Sequence, residues 1–299
     1  MAIADRPVTF PDRGPPPAFA PANHIRLDNV IPVPAPGSAG GRSVIRVDQK
    51  PATGTTATSS ARTLGVLGGM GPTATAEFLR LLSLAVPARS DQEHPRIVML
   101  SEPSIPERTG AILAGSDAPL LPIRAGLEQL ASWGADLLVV PCNTAHAFID
   151  RLQDLLPVPV VHIADATLRA AMRTSPEGGW LAATTGTVHS GIYQRRAAEL
   201  GYRLLVPDEP LQAEIHRSGV LVKANRLAEG GTALASAVRG LWQRHDLPVL
   251  TACTELPLAY QAAGLPGERS VSSLAALVTA CVAELLAPQT VTSAAGARS

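Results

Sequence analysis

From Thr63 onward the chain alternates between two hydrophobic patterns. Short apolar runs occur at residues 64–68 (LGVLG), 96–100 (RIVML), 136–140 (DLLVV), 158–163 (VPVVHI), 179–183 (GWLAA), 202–207 (YRLLVP) and 247–252 (LPVLTA). Each is too short for a helix and lacks strict alternation, so each reads as a buried strand of a parallel sheet. Between them lie stretches with apolar residues at helical spacing, among them TATAEFLRLLSLAV, APLLPIRAGLEQLASWG and GIYQRRAAELG. The last two end in glycine, a common helix stop. Strand alternating with helix predicts an α/β fold, parallel sheets with helices on both faces, and a ligand site at the carboxyl ends of the strands.

Two phrases divide this pattern. LLVVPCNTAH (137–146) and LPVLTACTELP (247–257) both run from an apolar strand through Cys and Thr toward a helix. This weak internal repeat favours two pseudo-symmetric Rossmann-like lobes with a cleft between them over one seven-stranded sheet. The final apolar stretch, SSLAALVTACVAELLA, is expected to pack back on the first lobe. The boundaries expected are 61–165 plus 267–288 for the first lobe and 166–266 for the second. Residues 1–60 differ, with ten of the 27 prolines and no apolar periodicity. They read as a disordered extension or, more sharply, as an arm that docks on a neighbouring subunit. Residues 289–299 read as a disordered tail.

Composition narrows the function classes. At 46% hydrophobic and 17% charged, 299 residues can bury a sizeable core. Formal net charge is zero and only 3% of residues are aromatic, which argues against nucleic acid or an anionic membrane as partner. No run of about 18 apolar residues occurs. The start, MAIADRPVTFPDRG, lacks the apolar run of a signal peptide. The expected location is therefore cytoplasmic. Three widely spaced cysteines make no disulfide framework, and no Cys/His cluster has zinc spacing, so no metal is expected.

The chemistry concentrates on Cys142 and Cys253. Cys142 follows a strand, with Asn143 or Thr144 as the expected N-cap of a following helix, where the helix dipole favours a thiolate. Cys253 has the same setting, ahead of Thr254, Glu255 and Pro257. Cys281, mid-helix on an apolar face, reads as core. A disulfide-exchange pair would ordinarily be C-x-x-C. A thiol nucleophile with His146 as base, one turn on, needs only one cysteine. Proton transfer at a carbon stereocentre uses both. One thiolate removes a Cα proton and the other thiol protonates the opposite face, with the sulfurs about 7 Å apart if each lies about 3.5 Å from that carbon. A thiol pKa near 8.5 needs only modest tuning for one thiolate and one thiol to coexist.

Other segments offer ligands for a small anion. LGGMGPTA (67–74) contains a formal G-x-G-x-x-A dinucleotide match, with Asp91 and Glu93 as the only acids near the required spacing, ahead of the next strand rather than at its end. Alternatively, Gly68, Gly69 and Gly71 form a bare turn whose helix, with Pro72 at its first position, presents N–H groups to a carboxylate. Arg108 in SIPERTGAIL could grip a carboxylate as a bidentate fork. ATTGTVHSG (183–191) could form an anion nest, or an ordinary loop with Ser190 as a helix cap. Lys223 lies in the apolar GVLVKAN.

Together LGGMGPTAT, SIPERT, PCNTAH, VHIADAT, TTGTVHSGIYQ and TACTELP resemble the aspartate/glutamate racemase family, the cofactor-independent amino-acid racemases. The resemblance runs from about Leu64 to Leu286. It implies a homodimer that uses neither pyridoxal phosphate nor metal. It makes Cys142 and Cys253 the acid/base thiols. It makes Met70, Arg108, Asn143, Thr144, Thr187, Lys223 and Thr254 substrate contacts, with Arg108 and Lys223 selecting a dicarboxylic amino acid. The usual IPDRT reads IPERT here and GCTE reads ACTE, and Lys223 sits in a loose match to the family motif. Without pyridoxal phosphate, N–H donors at Asn143, Thr144 and Thr254 would have to stabilise charge growing on the substrate carboxylate. A decarboxylase or cis–trans isomerase of small dicarboxylates on the same scaffold, or a non-catalytic amino-acid-binding protein, are the alternatives.

Overall fold

A computed structural model describes residues 62–287, so the expectations for residues 1–60 and 289–299 lie outside the described residues. The chain forms two four-stranded sheets, all neighbours parallel. The first sheet holds β1 (Leu64–Gly68), β2 (Ile97–Ser101), β3 (Leu137–Val139) and β4 (Val160–Val161), in the order β2-β1-β3-β4. The second holds β5 (Gly179–Ala183), β6 (Leu204–Leu205), β7 (Val249–Ala252) and β8 (Ser270–Ser272), in the order β6-β5-β7-β8. The two orders are the same once β1 is matched to β5, which is the internal repeat expressed as topology.

Among the described residues eleven α-helices connect and cover the sheets. In the first half these are α1 (Pro72–Ala85), α2 (Arg108–Leu113), α3 (Leu120–Ser132), α4 (His146–Ile149) and α5 (Ile163–Thr174). The second half adds α6 (Thr185–Ser190), α7 (Ile192–Glu199), α8 (Glu209–Lys223), α9 (Leu227–Arg244), α10 (Leu256–Ala262) and α11 (Ser273–Leu286). The apolar stripe of α3 supplies Ile123, Leu127 and Leu130 to one face of the first sheet. On the other face Phe78 and Leu82 of α1 meet Leu274, Leu277, Val278 and Cys281 of α11, over Leu64, Val66 and Val139. Cys281 is fully buried there, in the core role read for it.

Three expectations are corrected. The strand at 96–100 was expected to be buried, yet the alternating exposure along β2 leaves Ile97 and Met99 open to solvent. Its edge position gives it only one paired neighbour, a fact that local composition does not encode. An eighth strand, β8, pairs with β7 in the second sheet, so the return toward the first sheet starts with α11 and not at residue 267. The third concerns Cys142. Residues 143–145 form a turn, α4 is one helical turn capped by Ala145, and neither Asn143 nor Thr144 is an N-cap.

Candidate active site

In each sheet the chain leaves the inner strand for one edge and returns on its other side. The crevice at such a switch point lies between β1 and β3, and between β5 and β7, at their carboxyl ends. The residues there are the 69–71 glycine turn after β1, Cys142 after β3, Thr184 after β5 and Cys253 after β7. The turn needs Gly69, whose φ is 88° and whose Cβ would lie 2.6 Å from the backbone nitrogen of Glu102. Pro72 occupies the first turn of α1, as expected. Asp91 and Glu93, the acids that a dinucleotide reading would need, are exposed in a single 3₁₀ turn before β2.

Both thiols are buried, Cys142 at 5% exposure and Cys253 at 4%. Cys253 Sγ donates to Glu255 Oε2 at 3.1 Å, and Thr254 Oγ1 donates to the same oxygen at 3.2 Å. The backbone of α8 passes close by, since a Cβ on Gly219 would sit 3.5 Å from the Cys253 sulfur. Burial first, and the Glu255 carboxylate second, push the Cys253 thiol well above its ordinary range, with Lys223 opposing them. Cys253 is therefore held as a thiol. His146 makes no hydrogen bond to the Cys142 sulfur. Its Nδ1 donates to the Cys142 carbonyl at 2.9 Å, and its fully buried ring packs edge-on against His162. Burial, then His162, lower its pKa to about 3, so it is a neutral support behind the loop and not a base for the thiol.

The cationic groups converge from both halves. Arg108, at the start of α2, is 9% exposed. Its Nη1 donates to the carbonyls of Ile105 and Pro106 at 3.3 Å each, and Nη2 to that of Met70 at 3.0 Å. Its buried Nε has no partner among the described residues. The guanidinium is thus held by three carbonyls while Nε–H and the second Nη2–H, one edge of the fork, remain free for a carboxylate. Met70 itself is buried in the core beside Cys142 and contributes its carbonyl to this hold.

Lys223, the last residue of α8, is exposed to water at the mouth of the cleft yet closely hemmed in by protein. Burial works against its charge, but Glu255, Cys253 and Cys142 together raise its pKa. Glu107 caps α2, accepting from Thr109 N and Gly110 N at 2.9 and 2.5 Å. Burial disfavours its charge, but those two N–H groups, Arg108 and Lys223 keep it below the usual carboxylate range. A pocket of about 250 Å³ opens between Glu107, Thr109, Thr184, His216, Gly219 and Lys223, with Gly219 leading to Cys253. Burial, then Lys223, lower the pKa of His216.

Hydroxyl groups close the cleft between the two halves. Thr144, Thr184 and Thr187 form a triangle with every Oγ1–Oγ1 distance at 2.9 Å, and Thr184 also accepts from Thr187 N as the N-cap of α6. The TTGTVHSG segment is therefore a helix start joined to the Cys142 loop. Ser190, read as a possible helix cap, is instead the last residue of α6; Gly191 is the N-cap of α7, and Ser190 Oγ accepts from Ile192 N at 3.5 Å. The Asn143 side chain is spent on structure. Its Nδ2 donates to Ser273 at 3.0 Å and its Oδ1 accepts from Tyr193 at 2.5 Å. What Asn143 can still offer is its backbone. Among the described residues, the N–H groups of Asn143, Thr144 and Thr254 donate to no acceptor.

Glu255, Glu107, His216 and Thr184 are site residues that sequence reasoning did not single out. Two were spelled out next to residues it did, Glu107 beside Arg108 and Glu255 in the CTE phrase. His216 had no such signal, because only the α8 face shared with Gly219 and Lys223 brings it to the pocket. A larger groove of about 650 Å³, between α5 and α11, holds neither thiol and no group of this site. Among the described residues no three His, Cys, Asp or Glu side chains converge as metal ligands, and no helix is long and apolar enough to cross a membrane.

The sequence profile of the Asp/Glu/Hydantoin racemase family matches residues 67–281. The chain is 26% identical over 197 residues to the broad specificity amino-acid racemase RacX of Bacillus subtilis, covering 64% of this chain and 85% of that one. It is 34% identical over 104 residues to the glutamate racemase of Aquifex pyrophilus, covering 33% of this chain and 41% of that one. Among solved structures, the aspartate racemase of Picrophilus torridus superposes with a TM-score of 0.67 at 27% identity, over 75% of this chain and 94% of that one.

Proposed function

The chain belongs to the Asp/Glu/Hydantoin racemase family, and from that premise we propose that it inverts an amino acid at Cα by passing a proton between Cys142 and Cys253, with a dicarboxylic amino acid as substrate. What supports this is the matched setting of the thiols. Each follows the corresponding strand of two sheets with the same order. No cofactor enters the proposed steps.

The step runs as follows. In one direction the pair starts with Cys142 as the thiolate and Cys253 as the thiol. The Cys142 thiolate takes the Cα proton, its new S–H bond replacing the C–H bond, and the electron pair passes into the substrate carboxylate. Cys253 then gives its proton to the opposite face of Cα and becomes the thiolate. The proton count is unchanged, and the sulfurs have exchanged roles. The charge on the carboxylate is met by the free N–H groups of Asn143, Thr144 and Thr254, which are donors already in place. The free edge of Arg108 takes one carboxylate of the substrate and Lys223 the other. Thr187 and Thr144 position the Cys142 loop against the second half, and Met70 acts through its carbonyl on Arg108.

The aspartate racemase among the relatives makes aspartate the first substrate to test and glutamate the second, while the broad-specificity relative extends the panel to neutral amino acids. Proton NMR in D₂O should show loss of the Cα–H signal with appearance of the other enantiomer on chiral chromatography. Folded, reduced protein that exchanges no Cα proton in any of them would overturn the proposal. The homodimer implied by the family resemblance would be read as twice the chain mass in light scattering.

A further inference from the structure

We propose that Glu255 is the receptor for the α-ammonium of the substrate, through its Oε1. The inference rests on the amino-acid reading of this site and goes beyond it, since the two-thiol step involves only Oε2, which holds Cys253, and leaves Oε1 without a role.

Glu255 is 2% exposed, and its two oxygens differ. Oε2 accepts from Cys253 Sγ and Thr254 Oγ1. Oε1 is buried and has no partner among the described residues. The ordinary explanations for a carboxylate here fail. Glu255 stands at the N-cap of α10, yet its side chain accepts no backbone N–H of that helix. Among the described residues it makes no ion pair, and Lys223 acts on it only from beyond salt-bridge distance. A buried carboxylate oxygen without a donor is unfavourable, and a cation brought by a ligand relieves it.

One flank of Oε1 carries no side chain. Oε1 faces the glycine turn of the other half. A Cβ built on Gly71 would lie 3.1 Å from Oε1, and apart from Gly71 and its chain neighbours it would meet no other atom within 4 Å. That point is one bond from the Gly71 Cα; what it marks is a flank of Oε1 on which no side chain stands, the side from which a charged donor could approach. The other oxygen of the same carboxylate holds the Cys253 thiol. An ammonium on Oε1 would therefore bring the adjoining Cα beside that sulfur, as proton transfer requires. The bare turn 69–71 acquires a second purpose, which is to leave room for the ammonium.

Calorimetric titration of the full chain with three matched pairs tests this: L-aspartate and succinate, L-glutamate and glutarate, L-alanine and propionate. Within each pair only the ammonium differs. Glu255→Gln keeps the size and the acceptor for Thr254 but removes the charge. It is expected to weaken amino-acid binding roughly 10- to 100-fold and binding of the acid without an amino group by less than about threefold. Equal weakening of both members, or of neither, would overturn the assignment, as would wild-type protein that binds none of the six. Gly71→Ala fills the same space from the other half and leaves Glu255 in place. It should also weaken the amino acids selectively, and unchanged amino-acid affinity in that variant overturns the assignment even if Glu255→Gln fails to fold. Selective weakening in a protein that exchanges no Cα proton would sustain the Glu255 assignment while the racemase reading fails.

Discussion

Acidification should destabilise this protein at a pH where few carboxylates titrate, through one residue that does no chemistry. His146 is fully buried behind the Cys142 loop, with its Nδ1–H given to a carbonyl and its other face against His162. Burial lowers its pKa from 6.5 to about 3. The unfolded chain then binds a proton near pH 6.5 that the folded chain refuses until about pH 3. Stability is therefore intact above pH 6.5 and falls as pH drops through the interval between those values. The slope approaches about 1.4 kcal/mol per pH unit, and the full interval amounts to roughly 5 kcal/mol. From pH 7 to pH 5 the expected loss is about 2 kcal/mol, or roughly 4–8 °C in melting temperature for a chain of this size.

Urea unfolding at pH 7, 6 and 5 measures this directly. His146→Gln, which can still donate to the Cys142 carbonyl but cannot titrate, is the control. His216, also depressed by burial, contributes in the same direction in both proteins and cancels. Asp150 and Glu107, depressed in the folded state below 3.8 and 4.5, lose stability only at more acidic pH, as protons begin to bind the unfolded carboxylates. If wild type and His146→Gln lose stability with the same slope between pH 6 and pH 5, the buried neutral imidazole is not the cause and the reasoning fails.

Other expectations follow from the site. Cys142→Ser and Cys253→Ser should each lower the racemisation rate by about 10³-fold while circular dichroism stays native, and a full rate in both would exclude the two-thiol step. Arg108→Lys keeps the charge but not the fork, so KM for a dicarboxylic substrate should rise about tenfold; an unaltered KM would remove Arg108 from the substrate. Gly186→Ala sets a Cβ 2.7 Å from the Thr109 Cα across the cleft. The backbone at Thr109 must yield, so denaturation should show a loss of about 1–3 kcal/mol, partly offset by the helix preference of alanine, together with a lower turnover rate. Tyr193→Phe leaves the Asn143 Oδ1 without its donor and should cost about 1–3 kcal/mol in chemical denaturation.

Much of this was written locally. Apolar runs of strand length between helical stripes carry the α/β class, because a strand buried on both faces and a helix with one buried face impose different periods on the chain. All seven strand segments read from sequence contain strands, the match of PCNTAH to TACTELP announced two like sheets and singled out Cys142 and Cys253, and SIPERT singled out Arg108. The identity of edge strands, the pairing of β8 and the destination of each side chain depend instead on partners distant in the chain. Ile97 is exposed on the edge strand β2, beyond which no strand pairs among the described residues. The Asn143 amide turns to Tyr193 and Ser273, 50 and 130 residues away, and so reserves only its backbone for the cleft. Glu255 stands beside Cys253 in the sequence, but its free oxygen acquires meaning only from Gly71, which the other sheet delivers. The local pattern determined which elements form and which residue types carry chemistry, since period and composition act over a few residues. Which groups meet, and which polar atoms are left without partners, was decided by the packing of the two sheets, since burial and hydrogen bonding depend on distance in space and not along the chain.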